Sequence, residues 1–155
     1  AADASFKGKR VREFLRKGVL LMSYKVGTKA SFSKTIAECD VYGFAGIIGD
    51  FNPLHVNAAE AEEMLFGRRI VHGMLTASFL STVIASRMPG PGTIYMEQNS
   101  RFLKPVFFGD TITAEVEITE LLEKGRARLK TTVVNQDGIV VVDGTALVKL
   151  PKQEE

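Results

Sequence analysis

Polar and apolar residues alternate strictly in the carboxyl-terminal third of the chain. In the segment TITAEVEI, residues 111–118, every second side chain is apolar and the others are threonine or glutamate. Such alternation places apolar side chains on one face of a β-strand and polar side chains on the other. RARLKTTVV and GTALVKL behave similarly, with turn residues at Lys124-Gly125 and Asp137-Gly138. These segments predict half-buried antiparallel strands joined by hairpins.

Two further strands and one long apolar segment precede these hairpins. TIYMEQNSRFL and YKVGTKASFS have strand character, which gives about five strands in all. HGMLTASFLSTVIASRM, residues 72–88, has helical length and no charge before Arg87. A helix that is apolar on every side must be buried on every side, and PGPG ends it. The sequence therefore predicts an antiparallel sheet around one buried helix.

Two shorter helices are predicted before the buried one. TIAECDVYGFAGIIGD starts with a possible capping box, Thr35 with Glu38, and ends at Gly49. Apolar residues recur on one face of this helix at Ala37, Val41, Phe44, Ala45 and Ile48. Asn57 with Glu60 marks the start of a second helix, NAAEAEEMLF, which Gly67 closes.

Composition and charge limit the class of protein. The chain of 155 residues is 45% hydrophobic and 25% charged, which fits one globular domain. No apolar stretch reaches the roughly 18 to 20 residues of a membrane span, and the single Cys39 excludes an internal disulfide and a Cys-based zinc site. We therefore expect a cytoplasmic protein with no membrane contact.

Basic residues concentrate at the amino terminus. Residues 1–22 hold six Lys or Arg against two acidic residues, whereas the whole chain carries a net charge of only +2. The remainder is slightly acidic, which argues against a nucleic-acid partner. We predict a basic extension over residues 1–22, either introduced with the expressed chain or dispensable, a domain over 23–151 and a short tail over 152–155.

The segment GDFNPLHV, residues 49–56, concentrates chemical groups between the two shorter helices. It holds Asp50, Asn52, Pro53 and His55, one of two histidines in the chain. The residue types alone fit a turn stiffened by proline. They also fit an acid/base site, because Pro53 fixes its own φ and keeps Asn52 extended, so that the segment becomes a rigid frame.

Three motifs in order resemble the MaoC-like, (R)-specific enoyl-CoA hydratases. The family signature, in which a small residue follows the histidine, is similar to GDFNPLHVNAAEA, where Ala61 is that small residue. The start of the family's central helix is similar to IVHGML, and the strands that follow it are similar to FLKPVFFGDTITAEVEI. The likeness covers residues 25–150. It implies an α+β hotdog fold: a single domain whose antiparallel sheet wraps around a long buried helix, with an overhanging helical segment that carries the active site.

The resemblance implies roles for four residues. Asp50 and His55 are the catalytic pair: histidine can accept a proton from water near neutral pH, and Asp50 can orient that water or, if protonated, supply the Cα proton. Asn52 assists by holding the segment or the water. The backbone N–H of Gly73, at the start of the buried helix, serves as the oxyanion donor, since helix amino termini favour negative charge.

Small residues recur along the buried helix after Gly73, at Ala77, Ser81 and Ala85. This stripe can let the sheet pack closely, and it can also form the floor of an acyl tunnel. We predict that Ala77, Ser81 and Ile84 contact the acyl chain. Three basic residues are weaker candidates for contact with the phosphates of coenzyme A: Arg87, Arg101 and Lys104.

No metal or redox cofactor is expected. The two histidines, His55 and His72, lie seventeen positions apart and lack compact metal-ligand spacing. For His72 we predict a structural role, hydrogen-bonded in place beside a helix start.

The predicted reaction is reversible syn addition of water to trans-2-enoyl-CoA, which gives (R)-3-hydroxyacyl-CoA. Two other classes stay open: a hotdog thioesterase that directs water to the thioester carbon, and a non-catalytic protein that binds acyl thioesters. The resemblance also implies a homodimer with joined sheets, because a single hotdog sheet leaves an exposed edge. Acyl chain length, the carrier and the pathway are not determined by the sequence.

Overall fold

The computed structural model describes residues 24–151, and its main feature is a five-stranded antiparallel sheet. The spatial order is β1-β3-β4-β5-β2, which leaves β1 and β2 as edges. This confirms the predicted number and antiparallel arrangement of strands. The bounds are β1 Lys29–Thr35, β2 Ile94–Phe102, β3 Thr111–Leu122, β4 Arg126–Val134 and β5 Val140–Lys149.

The strands follow the alternation in the sequence. In β3 the apolar side chains from Ile112 to Ile118 are buried and the intervening residues are not. The predicted turns are confirmed as well. Lys124 and Gly125 both have positive φ between β3 and β4, and Gly138 has φ 74° between β4 and β5. Positive φ at consecutive residues matches the right-handed twist of a tight hairpin.

Four α-helices are described, besides a single 3-10 turn at Glu123–Gly125. Their bounds are α1 Glu38–Ile48, α2 Pro53–Val56, α3 Ala58–Glu62 and α4 Gly73–Ser86. We call residues 38–62, which hold α1, α2 and α3, the overhang. The segment predicted as a loop between two helices contains the short helix α2. The helix predicted to run to Gly67 ends at Glu62, because the chain turns back so that Ile70 N–H donates to Leu54 O.

The start of α1 differs from the prediction. Thr35 still belongs to β1, where its Oγ1 bonds to Thr111 Oγ1 at 2.7 Å, so it cannot cap the helix. Ala37 is the N-cap, and its N–H donates to Asp40 Oδ2 at 2.9 Å. The Lys34 ammonium, 2.8 Å from Asp40 Oδ1, lowers the pKa of that carboxyl below its ordinary value.

The helix α4 lies against the sheet and supplies the centre of the core. Leu80, Val83 and Ile84 are buried against strand residues such as Val116 and Leu129. The prediction that this helix is buried on every side is wrong for the single chain. Four residues on one side are exposed, namely Met74, Ser78, Ser81 and Ala85. Their spacing of four, three and four residues defines one helical stripe.

Two predictions about the ends of the chain lie outside the described residues. These are the basic extension over 1–22 and the tail over 152–155. Within residues 24–151, no helix is long and apolar enough to cross a membrane.

Candidate active site

The segment between α1 and α3 is held in a fixed shape by local hydrogen bonds. Gly49 ends α1 with φ 77°, in the left-handed region that favours glycine. Asn52 caps α2, because its Oδ1 accepts from Leu54 N–H at 3.1 Å. Pro53 occupies the first position of that helix, where proline is favoured. The segment therefore turns sharply twice and directs His55 inward.

His55 has one defined tautomer when it is neutral. Its Nδ1 lies 2.8 Å from the carbonyl oxygen of Ile70. A carbonyl can only accept, so Nδ1 carries the hydrogen and Nε2 keeps a free lone pair. The side chain is buried, with 8% of the residue exposed. The backbone thus orients His55 as a base whose Nε2 can accept a proton.

Asp50 faces the same ring nitrogen. Its Oδ1 accepts from Asn52 N–H at 3.2 Å, while Oδ2 lies 4.0 Å from His55 Nε2. Two groups at this separation can both bond to one water oxygen. The carboxylate is half-exposed, with 46% of the side chain accessible, so substrate can reach it. The predicted pair, Asp50 and His55, is brought together.

His72 lies next to this pair in the fold, although it is seventeen positions from His55 in the sequence. Its ring stacks on His55 with centroids 3.8 Å apart and an angle of 28° between the planes. Its Nε2 donates to the main-chain oxygen of Asp50 at 2.9 Å, and the edge of Phe44 packs against the ring. The histidine is hydrogen-bonded in place, as predicted. No local spacing in the sequence indicates its contact with His55, which only the fold creates.

Gly73 begins α4 at the wall of a cavity. As the first helical residue it has a backbone N–H with no acceptor inside the helix. A Cβ at this position would lie 3.0 Å from two carbons of the Phe102 ring. The cavity has a volume of about 310 Å³, and Ile70, Thr76 and Lys104 also line it. The residue that carries the predicted oxyanion donor therefore lines the same cavity as Ile70, whose carbonyl oxygen bonds to His55.

The three predicted acyl contacts are not part of this cavity wall. Ala77 is nearly buried, Ile84 is fully buried in the core and Ser81 lies on the exposed stripe of α4. Their role stays a prediction. Among the three basic candidates, Lys104 lines the cavity, Arg101 pairs with Asp143 and Arg87 is exposed after α4.

One group of side chains could in principle hold a cation. Ligand atoms of Asp50, His55 and His72 lie within 4.8 Å of one another. However, His72 Nε2 donates a hydrogen to Asp50 O, and a metal ligand needs the lone pair of that atom. Metal binding would move the hydrogen to Nδ1, which is buried and has no partner in the described part of the chain. The donor set therefore fits a metal poorly.

Comparisons with known proteins identify the family of the chain. Residues 23–141 match the family described as MaoC like domain. The (R)-specific enoyl-CoA hydratase of Aeromonas caviae is 48% identical over 130 residues, which cover 83% of this chain and 97% of the relative. The enzyme of the same name from Rhodospirillum rubrum is 46% identical over 127 residues, covering 82% of this chain and 88% of the relative.

Solved structures give the same result. The (R)-hydratase from A. caviae involved in PHA biosynthesis aligns with a TM-score of 0.81 and 46% identity, over 84% of this chain and 100% of that chain. An unliganded R-hydratase from Pseudomonas aeruginosa aligns with a TM-score of 0.80 and 46% identity, over 83% of each chain. These matches confirm the predicted hotdog architecture. The family match over residues 23–141 and the 46% and 48% identities to these relatives show that the chain belongs to the MaoC-like domain family.

Proposed function

We propose that the protein is an (R)-specific enoyl-CoA hydratase, which reversibly adds water to trans-2-enoyl-CoA. The observation that carries this proposal is the opposed pair of His55 Nε2 and Asp50 Oδ2, 4.0 Å apart. Ile70, whose carbonyl oxygen bonds to His55, also lines a cavity, and Gly73 lies in the wall of the same cavity. Relatives that bear the hydratase name support the same reaction.

Addition of water needs two proton transfers. A water molecule bonded to both groups loses a proton to His55 Nε2 while its oxygen forms a bond to Cβ of the substrate. In this scheme Asp50 begins the cycle as the carboxylic acid and delivers its proton to Cα from the same side, which gives syn addition and leaves the carboxylate. The pair returns to its starting state when the proton on His55 passes to Asp50 through an exchanging water. No metal or redox cofactor is required.

The thioester oxygen gains negative charge as the new bond to Cβ forms. The N–H of Gly73 points from the amino-terminal end of α4 (Gly73–Ser86), where unpaired N–H groups and the helix dipole favour an anion. Removal of one such donor typically lowers kcat by about 10²- to 10³-fold. Glycine leaves room at this helix start, where the Phe102 ring would lie 3.0 Å from an added Cβ.

The test is an assay with crotonyl-CoA in which loss of enoyl absorbance and release of free thiol are followed together. The proposal requires loss of absorbance without release of thiol, and the reverse reaction with (R)-3-hydroxybutyryl-CoA but not its (S)-isomer. Release of thiol would identify a thioesterase instead. No change in either signal, with binding retained, would identify a non-catalytic acyl-thioester protein.

We also propose that the enzyme works as a cytoplasmic homodimer. The edge strand β2 exposes Ile94 and Met96, with Ile94 58% accessible, and Met74 on the exposed stripe of α4 is 62% accessible. The two elements meet where the Phe102 ring contacts Gly73. An unpaired edge strand with exposed apolar side chains beside it favours pairing with a second copy, and a two-fold dimer is the commonest homo-oligomer.

Pairing of β2 with its copy would join the two sheets into one. Sedimentation of the wild type should therefore give twice the chain mass of 17.0 kDa. Met96→Glu should shift the protein towards monomer and lower activity in parallel. A fully active monomer would overturn the dimer proposal.

A further inference from the structure

His72 makes two contacts with the proposed catalytic pair. Its Nε2–H donates to the main-chain oxygen of Asp50 at 2.9 Å, and its ring stacks on His55 at 3.8 Å between centroids. One residue therefore touches both proton-transfer groups, but through the main chain of the first and the ring face of the second. His72 Nε2 also lies 3.9 Å from Asp50 Oδ2, which is beyond hydrogen-bond distance, so Oδ2 and Nε2 of His55 stay available for substrate.

The contact with Asp50 fixes the segment that carries the carboxyl. Asp50 directly follows Gly49, which ends α1 in a left-handed conformation. The residue itself is exposed, so packing alone does not hold it. The hydrogen bond from His72, whose residue is only 2% exposed, connects the main chain of Asp50 to the start of α4. The distance between Asp50 Oδ2 and His55 Nε2 depends on that hydrogen bond.

The contact with His55 limits rotation of its ring. Ile70 O holds Nδ1 at one end, and the stacked ring of His72 covers one face. The edge of Phe44 fixes His72 in turn, with centroids 5.4 Å apart. An imidazole held both at its edge and on its face keeps Nε2 pointed in one direction.

The remaining nitrogen of His72 shows which tautomer this arrangement needs. Nδ1 is buried and has no hydrogen-bond partner in the described part of the chain. A hydrogen on Nδ1 would be a buried donor without an acceptor, which is costly. A hydrogen on Nε2 satisfies Asp50 O. The surroundings therefore select the Nε2–H form of His72, whereas Ile70 O selects the Nδ1–H form of His55.

We infer that His72 is a positioning residue for hydration, which sets the relative placement of Asp50 and His55 without touching substrate. The inference rests on the proposed hydratase function. It predicts that loss of His72 lowers kcat far more than it raises KM, because the defect lies in alignment of proton-transfer groups and not in binding. A misplacement of about 1 Å at such a site can cost about 10²-fold in rate.

Three variants separate the two contacts. His72→Gln keeps an amide N–H at a reach close to that of Nε2 but loses the ring. His72→Phe keeps a ring for stacking but loses the donor, and His72→Ala loses both. Thr131→Val serves as the control, because Thr131 is a fully buried polar residue on β4 outside the site. This variant reports the effect of general core destabilisation on rate.

We expect His72→Ala to lower kcat by about 10²-fold, with KM changed by less than about threefold. His72→Gln and His72→Phe should each recover part of this loss, and Thr131→Val should keep wild-type kcat. The inference is overturned if folded His72→Ala keeps kcat within about threefold of wild type. It is also overturned if neither partial variant exceeds His72→Ala, or if Thr131→Val loses kcat to the same extent as His72→Ala.

A spectroscopic measurement tests the geometry without any assay. The chain has two histidines, so ¹⁵N-histidine labelling of the untagged protein gives two ring systems, which His72→Phe assigns. We expect hydrogen on Nε2 in His72 and on Nδ1 in His55. Hydrogen on Nδ1 of His72 would overturn the inference. Correct tautomers in a wild type that does not hydrate crotonyl-CoA would instead refute the proposed function.

Discussion

Gly73→Ala should separate catalysis from folding at this site. Gly73 has an ordinary helical backbone, since its φ is not in the left-handed region, so alanine can adopt the same conformation. The added methyl would meet two Phe102 ring carbons at 3.0 Å. It would also stand beside the N–H that we assign to the thioester oxygen.

The expected effect on stability is small. The Phe102 ring is half-exposed and can move by the few tenths of an ångström that the methyl requires. Overpacking costs about 1 kcal/mol at the low end of its range, and alanine regains about 0.5–1 kcal/mol over glycine within a helix. The two effects nearly cancel, so Tm should change by less than about 4 °C.

The expected effect on catalysis is large. If the methyl keeps the thioester oxygen away from the Gly73 N–H, the loss should approach that of an oxyanion donor, about 10²- to 10³-fold in kcat. Hydration of crotonyl-CoA, followed by absorbance, measures this loss. Gly46→Ala in α1 is the matched control, because its new Cβ meets nothing within 4 Å. We expect that variant to keep full activity and equal or higher Tm.

A folded Gly73→Ala protein with kcat within about threefold of wild type would refute this reasoning. In that case the absent side chain at Gly73 would not matter for approach of the substrate. A drop in Tm well beyond the expected range would show that Phe102 cannot move, and would make the position a packing site.

Four further predictions follow from the same structure. Asp50→Asn and His55→Ala should each lower kcat by about 10²- to 10⁴-fold with unchanged circular dichroism; either variant that keeps more than about a tenth of wild-type turnover is not a proton-transfer group. Ser81→Phe should reduce activity on eight-carbon substrates more than on four-carbon ones, and equal losses would mean that the stripe only packs. Because its lysine partner lowers the pKa of Asp40 in the folded chain, the contribution of that carboxyl to folding is present above about pH 4 and is lost as pH falls through the lowered value. Asp40→Ala should therefore cost about 1 kcal/mol of unfolding free energy at neutral pH and progressively less in acid, and a pH-independent difference in urea melts would contradict this. Deletion of residues 1–21 should leave Tm and activity nearly unchanged, since the family match begins at residue 23, and a large fall in either would show that the segment packs on the domain.

The sheet could be predicted because its signal is local. The alternation from Ile112 to Ile118 fixes which side chains are buried, and the glycine after Lys124 permits the positive φ of the turn. The start of α1 could not be placed in this way. Thr35 fits a cap by spacing, but its pairing with Thr111 keeps it in the sheet, and Asp40 takes the capping role instead. Tertiary pairing overrode a local preference.

The candidate site was predictable as far as it is contiguous. Asp50, Asn52 and His55 lie on one short segment whose residue types alone also fit a plain turn, and it was the resemblance to the hydratase family that assigned them a shared role. The stack of His72 on His55 needs the path of the chain between them, which spacing does not encode. The exposed side of α4 was also missed, since Met74 has the same apolar character as a core residue and no charged residue marks this side of the helix.

The attachment of the overhang has a consequence for heat inactivation. Asp50 and His55 lie on the overhang, whereas Gly73 belongs to α4, which packs on the sheet. Only four side chains of the overhang are buried, namely Val41, Ala45, His55 and Ala61. The bonds of Arg69 to Glu38 and Tyr42 that also hold it are exposed and contribute little each. Local opening of the overhang therefore needs less free energy than global unfolding. We expect amides of residues 38–62 to exchange with solvent faster than those of β3 and β4, and activity to disappear on heating before the sheet melts.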